Sequence, residues 1–317
     1  MNSKSILNSI DSAAANLYVD LFGEHNGLST FLFHGVSHNE KLTESIFPQE
    51  GLTISLFEKF IDSFLNLGYE FIGPADIIDG IIKHDVKYGM LTFDDGYFNN
   101  TWIQEVLHKY RTPAVFFVTT GLMMENEKIW SDVIHFERKK RNSPDDEIHK
   151  EIVSLNPVPV AKIKDYITKE FGSEALQPHG DEDRFLTPAE LKEFALDPFV
   201  IIGNHTHSHE VLGNLTAEKT KAEIQTSQSI LTEIIGKAPD FISYPYGSHS
   251  RQVVDTAKEF GFKLGITTIQ KKNSLPLGSK YNMELRRFNP IASNGKFKID
   301  KLRSSFQLKT MLKEILQ

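Results

Sequence analysis

Two stretches of this chain hold residue types that do chemistry when brought together. The first is Leu91-Thr92-Phe93-Asp94-Asp95-Gly96, where a mostly apolar run from Tyr88 to Phe93 ends in adjacent carboxylates and a glycine. Burying neighbouring carboxylates is expensive unless a cation or strong donors offset the charge. The second is His205-Thr206-His207-Ser208-His209, directly after an apolar run from Phe199 to Gly203. His205 and His209 stand four apart, which on one helical turn puts both imidazoles on one side. Neutral imidazole is the commonest metal ligand. One Asp with two His is a facial set that leaves coordination positions open, which suits a cation that activates water and polarises a carbonyl. The other Asp is then free to take a proton from that water. Each stretch also has a plainer reading, the Asp-Asp-Gly as a turn with a helix cap and the histidines as a polar loop. A third stretch, Tyr244-Pro245-Tyr246-Gly247, is a turn whose two tyrosines can wall a sugar ring, or an ordinary strand end.

The elements around these stretches decide between the readings. Apolar runs at Thr30–His34, Tyr69–Ile72, Tyr88–Phe93, Ala114–Val118, Phe199–Gly203, Phe241–Tyr244, Leu264–Thr267 and Leu285–Phe288 read as strands. Helical spacing fills the gaps. Ser55 with Glu58 forms a capping box for a helix that Gly68 stops, and a short helix runs around Ala75–Ile82. Ile103, Val106 and Leu107 mark another helix, and Thr187-Pro188-Ala189-Glu190 is a strong helix start. Further helices are expected over Thr216–Gly236, Ser250–Phe260 and from Asp300 through Leu316. Strands alternating with helices imply βα units and a parallel sheet. Both chemical stretches follow a strand, so both open onto the face where α/β barrels build their sites.

Two regions stand outside this alternation. Lys4–Phe22 carries Ile6, Leu7, Ile10, Ala14, Leu17 and Leu21 at helical spacing, an amphipathic N-terminal helix. Between about Leu122 and Leu186 the pattern loosens into an insertion of mixed helix and loop, expected at the rim of the site. Its basic run, Arg138-Lys139-Lys140-Arg141, reads as a solvated face before a binding patch. The chain therefore divides into a helical extension, 1–27, and a barrel, 28–317, with the insertion at about 122–186.

The 317 residues are 24% charged and 40% hydrophobic, ordinary soluble composition. A net charge of -7 offers no broad basic field, so nucleic acid is not an expected partner. Cysteine is absent, so any metal must sit on Asp, Glu or the 12 histidines. No run approaches the ~18 apolar residues of a membrane span. The N-terminus lacks a basic region followed by an apolar core, so a cytoplasmic location is expected.

Together the stretches resemble the polysaccharide deacetylases with a NodB-like domain, carbohydrate esterase family 4, over roughly Leu28 to Pro290. Leu91 to Tyr97 resembles the family's first motif, in which the first Asp is the base and the second binds metal; that implies Asp94 and Asp95. His205-Thr206-x-x-His209 resembles the second, whose histidines complete the metal site. Phe116-Phe117-Val118 and the helix start at Thr187 are also similar. The third motif departs: Ser243 stands where the family has the arginine that holds the catalytic Asp. Leu285-Arg286-Arg287-Phe288 resembles a later strand that supplies this arginine in some branches, which points to Arg287. The late strand ending in His has no match, whereas Phe31-Leu32-Phe33-His34-Gly35 precedes the first motif. That order is similar to a rearranged branch including poly-N-acetylglucosamine deacetylases, and it implies His34 as general acid.

The resemblance implies a distorted (β/α)7-type barrel and a metal-dependent hydrolase that removes N-acetyl groups from an amino sugar. The implied cofactor is one divalent ion on Asp95, His205 and His209, zinc first, with Fe2+, Co2+, Ni2+ or Mn2+ as alternatives. Asp94, His34 and Arg287 form the implied catalytic set, and Tyr97, Tyr244 and Tyr246 face the N-acetylated sugar or oligosaccharide. A backbone amide near Tyr97 helps hold the oxyanion. With no signal sequence, a lipid-linked or nucleotide-linked sugar is favoured over finished wall polymer. Two alternatives stay open: a deformylase or O-acetyl esterase on the same frame, and a catalytically silent glycan-binding protein.

Overall fold

The computed structural model describes residues 3–39, 52–278, 282–292 and 295–316. Its strands are β1 (Gly27–Phe33), β2 (Tyr69–Phe71), β3 (Lys87–Phe93), β4 (Ala114–Val118), β5 (Val200–Asn204), β6 (Phe241–Ser243), β7 (Leu264–Ile266) and β8 (Arg287–Phe288). Every ladder is parallel, in the order β7-β6-β5-β4-β3-β1-β8. A bridge between Ile266 and Leu285 brings the approach to β8 against β7, so the seven strands nearly close into a barrel. β2 lies off this path, on the first half of β3.

The helices are α1 (Ser3–Phe22), α2 (Ile54–Asn66), α3 (Pro74–Ile78), α4 (Gln104–Tyr110), α5 (Thr120–Glu125), α6 (Trp130–Lys140), α7 (Asp145–Leu155), α8 (Val160–Phe171), α9 (Pro188–Phe194), α10 (Ala217–Ile235), α11 (Arg251–Glu259), α12 (Ile299–Arg303) and α13 (Leu308–Leu316). Among the described residues, no helix is long and apolar enough to cross a membrane.

Side chains alternate across each strand, and this sorts the chain into two layers. Leu28 of β1, Tyr88 and Met90 of β3, Val115 and Phe117 of β4, and Phe241, Leu264 and Ile266 form one cluster inside the barrel. The intervening residues, Phe31, Phe33, Leu91, Phe93 and Phe116, point out and meet Phe57, Phe60 and Phe64 of α2 and Phe194 of α9. Rings meet edge-on here, as in Phe31–Phe60 at 4.9 Å and Phe116–Phe194 at 4.8 Å between centroids. Burying each such ring contributes roughly 1.5–3 kcal/mol. The same alternation continues one residue past each strand. Counting by twos from the inward residues reaches His34 after β1, Asp94 after β3 and His205 after β5.

The structure differs from the sequence reading at several ends. Thr53, not Ser55, caps α2; its backbone is extended and its hydroxyl accepts Leu56 N at 3.2 Å. The helix expected to Ile82 ends at Ile78, and Gly80 turns left-handed at φ 69°. Asp300 does not cap a helix through Leu316. It sits inside α12, pairing with Arg303, and Ser304 breaks the run before α13. Within the insertion, α6 and α8 build a core of their own from Trp130, Val133, Ile134, Val160, Ile163, Ile167 and Leu176. Pro159 stands at the N-cap of α8. The basic run is spent on ion pairs inside this unit, Arg138 with Glu151 and Glu170, Arg141 with Glu170 and Lys139 with Asp145.

The N-terminal helix also departs. Its expected stripe faces outward, with Leu17 57% and Leu21 66% exposed, and Ala15 and Val19 are buried instead. Asp11 turns that face inward, because its carboxylate takes Lys301 Nζ at 2.9 Å and Lys309 N at 3.1 Å. The side chains of Ile6 and Leu7 lie outside the described residues.

Candidate active site

The carboxyl ends of β1, β3, β5, β6 and β8 meet at one mouth of the barrel. β1 and β3 run in register from Gly27↔Lys87 to Phe33↔Phe93, so His34 and Asp94 emerge side by side, and Asp94 N donates to Phe33 O at 2.9 Å. Next, Asp95 turns left-handed at φ 76° and Gly96 at φ 87°. A Cβ on Gly96 would lie 3.1 Å from Val118, so glycine lets this turn settle against β4.

Asp94 is buried and gripped by a fork. Arg287 donates from its two terminal nitrogens to Asp94 Oδ1 and Oδ2, each at 2.7 Å. The guanidinium is 1% exposed, and it also donates to Thr92 Oγ1 at 3.1 Å, Ser243 Oγ at 3.0 Å and Thr267 O at 3.0 Å. Ser243 Oγ in turn donates to Asp94 Oδ2 at 3.2 Å. Burial alone raises the Asp94 pKa, but the charges of Arg287, His205 and His34 outweigh it and hold the carboxyl below the usual carboxylate range.

Asp95 turns away from Arg287 towards the histidines. Its Oδ1 stands 3.4 Å from His205 Nε2 and 3.3 Å from His209 Nε2. Burial pushes Asp95 up, yet the facing imidazoles draw it well below its ordinary value. One donor atom from each of the three residues lies within 4.8 Å of the others, and all three residues are buried. Two observations fit this trio to a cation. Asp95 Oδ1 is buried without a hydrogen bond. His205 Nδ1 is 2.8 Å from the carbonyl of Ser243, which fixes the ring with Nε2 towards Asp95, and in the neutral imidazole Nε2 is then the nitrogen with the free lone pair.

The helical-turn argument for the histidines does not hold. Residues 205–211 are a loop, and Thr206 and His209 adopt left-handed φ of 66° and 55°. Backbone contacts, not helical periodicity, bring the two rings to 4.9 Å.

The three tyrosines separate. Tyr246 is 38% exposed and packs its ring 4.9 Å from that of His209. Tyr97 stacks on Phe185 at 4.7 Å and donates its hydroxyl to Asp132 Oδ2 at 2.8 Å. Tyr244 is a correction: it is fully buried, with its hydroxyl on Met283 O at 3.2 Å, and it walls no groove. Strand alternation alone would put residues 244 and 246 on one side, but the chain turns at Pro245–Gly247 with Tyr246 left-handed at φ 57°, and the two rings part.

Three further groups at this mouth come from the insertion and carry no strand-end signal. Asp132, on the first turn of α6, is pushed up to about 7 by burial and by the charge of Asp95, against its hydrogen bonds from Tyr97 and Ser131. Trp130 approaches Tyr246 at 6.5 Å between rings. Phe185 bridges back to Tyr97, and Leu186 N donates to Gly96 O at 3.1 Å.

The comparisons with known proteins agree with this architecture. Residues 82–265, more than half of the chain, match the family profile described as polysaccharide deacetylase. The chain belongs to the polysaccharide deacetylase family. That match contains Asp94, Asp95, His205 and His209 but neither His34 nor Arg287, which only the barrel brings to the same mouth.

Over 64 residues the chain is 34% identical to a peptidoglycan-N-acetylglucosamine deacetylase of Bacillus cereus, a stretch covering 20% of this chain and 23% of that protein. Among solved structures it is similar to the Streptococcus pyogenes deacetylase PplD in complex with acetate, at 18% identity and TM-score 0.59, covering 88% of this chain and 98% of that one. It is also similar to a de-N-acetylase from Aggregatibacter actinomycetemcomitans, at 19% identity and TM-score 0.59, covering 87% and 100%. IcaB from Ammonifex degensii matches at 17% identity and TM-score 0.55, covering 86% and 94%. At these identities the structural matches speak for the fold.

Proposed function

We propose that this chain is a metal-dependent hydrolase that removes N-acetyl groups from an amino sugar in a glycan or glycan precursor. The observation that carries this reading is the split between two adjacent carboxylates. Asp94 is clamped and ionised by Arg287, while Asp95 is presented with a bare oxygen to two imidazoles. A general base and a cation site therefore stand next to each other at one barrel mouth.

Asp95, His205 and His209 would hold the divalent ion, with zinc as the first candidate. A cation there supplies Lewis acidity to the acetyl carbonyl and to water. Asp94 takes the proton of the attacking water. As the water oxygen bonds to the acetyl carbon, a backbone amide near Tyr97 helps to stabilise the oxyanion. The C–N bond then breaks, His34 delivers a proton to the leaving nitrogen, and acetate and a free amine remain. His34 sits where its charge is felt by Asp94 and Asp95. Tyr246 and the insertion border the sugar, whereas Tyr97 is 3% exposed and holds Asp132 through its hydroxyl. The intact Asp and His set argues against a silent glycan binder.

The test is release of acetate or formate from a panel of N-acetyl, N-formyl and O-acetyl amino sugars and oligosaccharides, with and without zinc. Turnover confined to formyl or O-acetyl substrates reassigns the chemistry on the same frame. Metal uptake with no turnover on any member makes the protein a binder.

A further inference from the structure

The loop that carries both histidines is held in a conformation its residues do not favour. Thr206 and His209 are both left-handed, and a β-branched residue in that region is an outlier. Such backbone persists only where the surroundings over-determine it.

The surroundings come from two sides. From the front, Thr120 N and Gly121 N at the start of α5 donate to the carbonyls of Thr206 and His207, at 3.2 and 2.7 Å. A Cβ on Gly121 would lie 2.5 Å from that His207 oxygen, so the approach depends on glycine. From behind, α10 supplies the acceptor. One oxygen of Glu223, Oε2, takes both His207 N at 3.1 Å and Ser208 N at 2.7 Å. Farther along α10, Gln228 accepts from Asn204 Nδ2 at 2.9 Å, and Asn204 Oδ1 takes Thr206 N at 2.8 Å. The two amides on Glu223 lie between the two ligand histidines in the chain. Moving them moves His205 relative to His209.

We propose that Glu223 is a positioning residue that sets the metal affinity of the site by pinning the strained loop from α10. The inference rests on the metal reading of Asp95, His205 and His209. Glu223 acts through geometry, as a single acceptor oxygen at one reach, and its charge is secondary. Gln keeps that oxygen at the same reach. Asp keeps the charge but is shorter by one methylene.

The experiment titrates chelator-stripped full-length protein with Co2+ against a competing chromophoric chelator, and records the visible cobalt spectrum. E223A and E223D are expected to weaken Co2+ binding by roughly 10–100-fold, the usual cost of losing support behind a ligand, and to alter the cobalt bands. E223Q is expected to stay near wild type in both readouts. A merely structural glutamate would lower the unfolding midpoint of metal-free protein without moving the spectrum, and that result overturns the proposal. So does an E223Q as weak as E223D, because an acceptor oxygen at the right reach would then not be enough. The conservative pair E223D and E223Q decides the matter even if E223A does not fold. Wild-type protein that takes up no Co2+ overturns the metal reading itself, whereas binding that is indifferent to residue 223 overturns only the pin.

Discussion

Arg287 and Asp94 are 193 positions apart in the chain, and both oxygens of the carboxylate are matched by the two terminal nitrogens of the guanidinium at 2.7 Å. Register explains the meeting. β8 pairs with β1 through Thr30↔Arg287, and β1 pairs with β3 through Leu32↔Thr92, so Arg287 reaches across β1 to the end of β3. Ser243, at the end of β6, touches the same carboxylate from the other side. The arginine that the third motif lacks is thus replaced from a different strand.

The first prediction follows from this fork. Arg287→Lys keeps a charge but cannot bind both oxygens, and it should lower kcat/KM by on the order of tenfold or more. Arg287→Ala leaves a buried carboxylate unpaired and should cost about 3–5 kcal/mol of stability. It also removes the main charge that lowers Asp94, so the acid limb of the pH profile should move to higher pH. An unmoved acid limb in a folded Arg287→Ala protein would show that Asp94 is not the group being titrated.

A second prediction separates base from acid. Asp94→Asn should retain metal yet lose on the order of a hundredfold or more in rate, the usual range for a missing general base. His34→Ala should lose less on an activated ester than on an amide, because a good leaving group needs little protonation. Equal losses on both substrates would remove His34 from the acid role. The wild-type pH profile of kcat/KM should be bell-shaped, its limbs belonging to the coupled site.

Much of this site was legible because strand-end chemistry is periodic. Asp94 and His205 each follow a buried strand by the residue count that alternation requires, and His34 shares the inward parity. Arg287 was reachable only through the resemblance, since nothing local in Leu285–Phe288 says which of two adjacent arginines turns inward. Asp132 was not legible at all. It lies in a helix of the insertion, and its place over the mouth is set by how α6 packs, not by a strand. The histidine spacing singled out two residues that do converge, but not on a helical turn: His205 and His209 meet through left-handed backbone at Thr206 and His209. Tyr244 failed because a residue at a strand end can as easily face the helices as the mouth.

The insertion supplies a third prediction. Its two ends bracket the turn after Asp95, through Asp132 on the Tyr97 hydroxyl and Phe185 on the Tyr97 ring. Replacing residues 122–186 should change substrate choice more than Co2+ affinity, because none of the trio Asp95, His205 and His209 lies in it. Val160 N on Glu210 is the contact through which an effect on the histidine loop would travel. Phe185→Ala tests the same idea with one residue, and should raise KM across the sugar panel with metal content unchanged. An unaltered sugar profile after the full replacement would make the insertion a spectator.

The last prediction concerns Asp132 and the pH dependence of stability in metal-free protein. Its carboxyl is raised from 3.8 to about 7 in the folded state. Between these values the folded protein keeps a proton that the unfolded chain has released, so stability falls as pH rises through that window and stays low above it. At 1.36 kcal/mol per unit the full effect is bounded near 4 kcal/mol, and partial exposure of Asp132 reduces it to on the order of 1–2 kcal/mol. Asp132→Asn is neutral, has nearly the same shape and can still accept from the Tyr97 hydroxyl with its carbonyl oxygen. It should therefore match wild type near pH 4 and exceed it above pH 7, by a few degrees in Tm. The comparison requires metal-free protein, because a cation beside Asp95 would favour the ionised form of Asp132 and shrink the difference. Adding Zn2+ should accordingly narrow the gap between the two proteins at pH 8. If Asn and Asp proteins unfold in parallel from pH 4 to pH 8.5, Asp132 carries its charge at no cost, and burial at the mouth is shallower than the structure indicates.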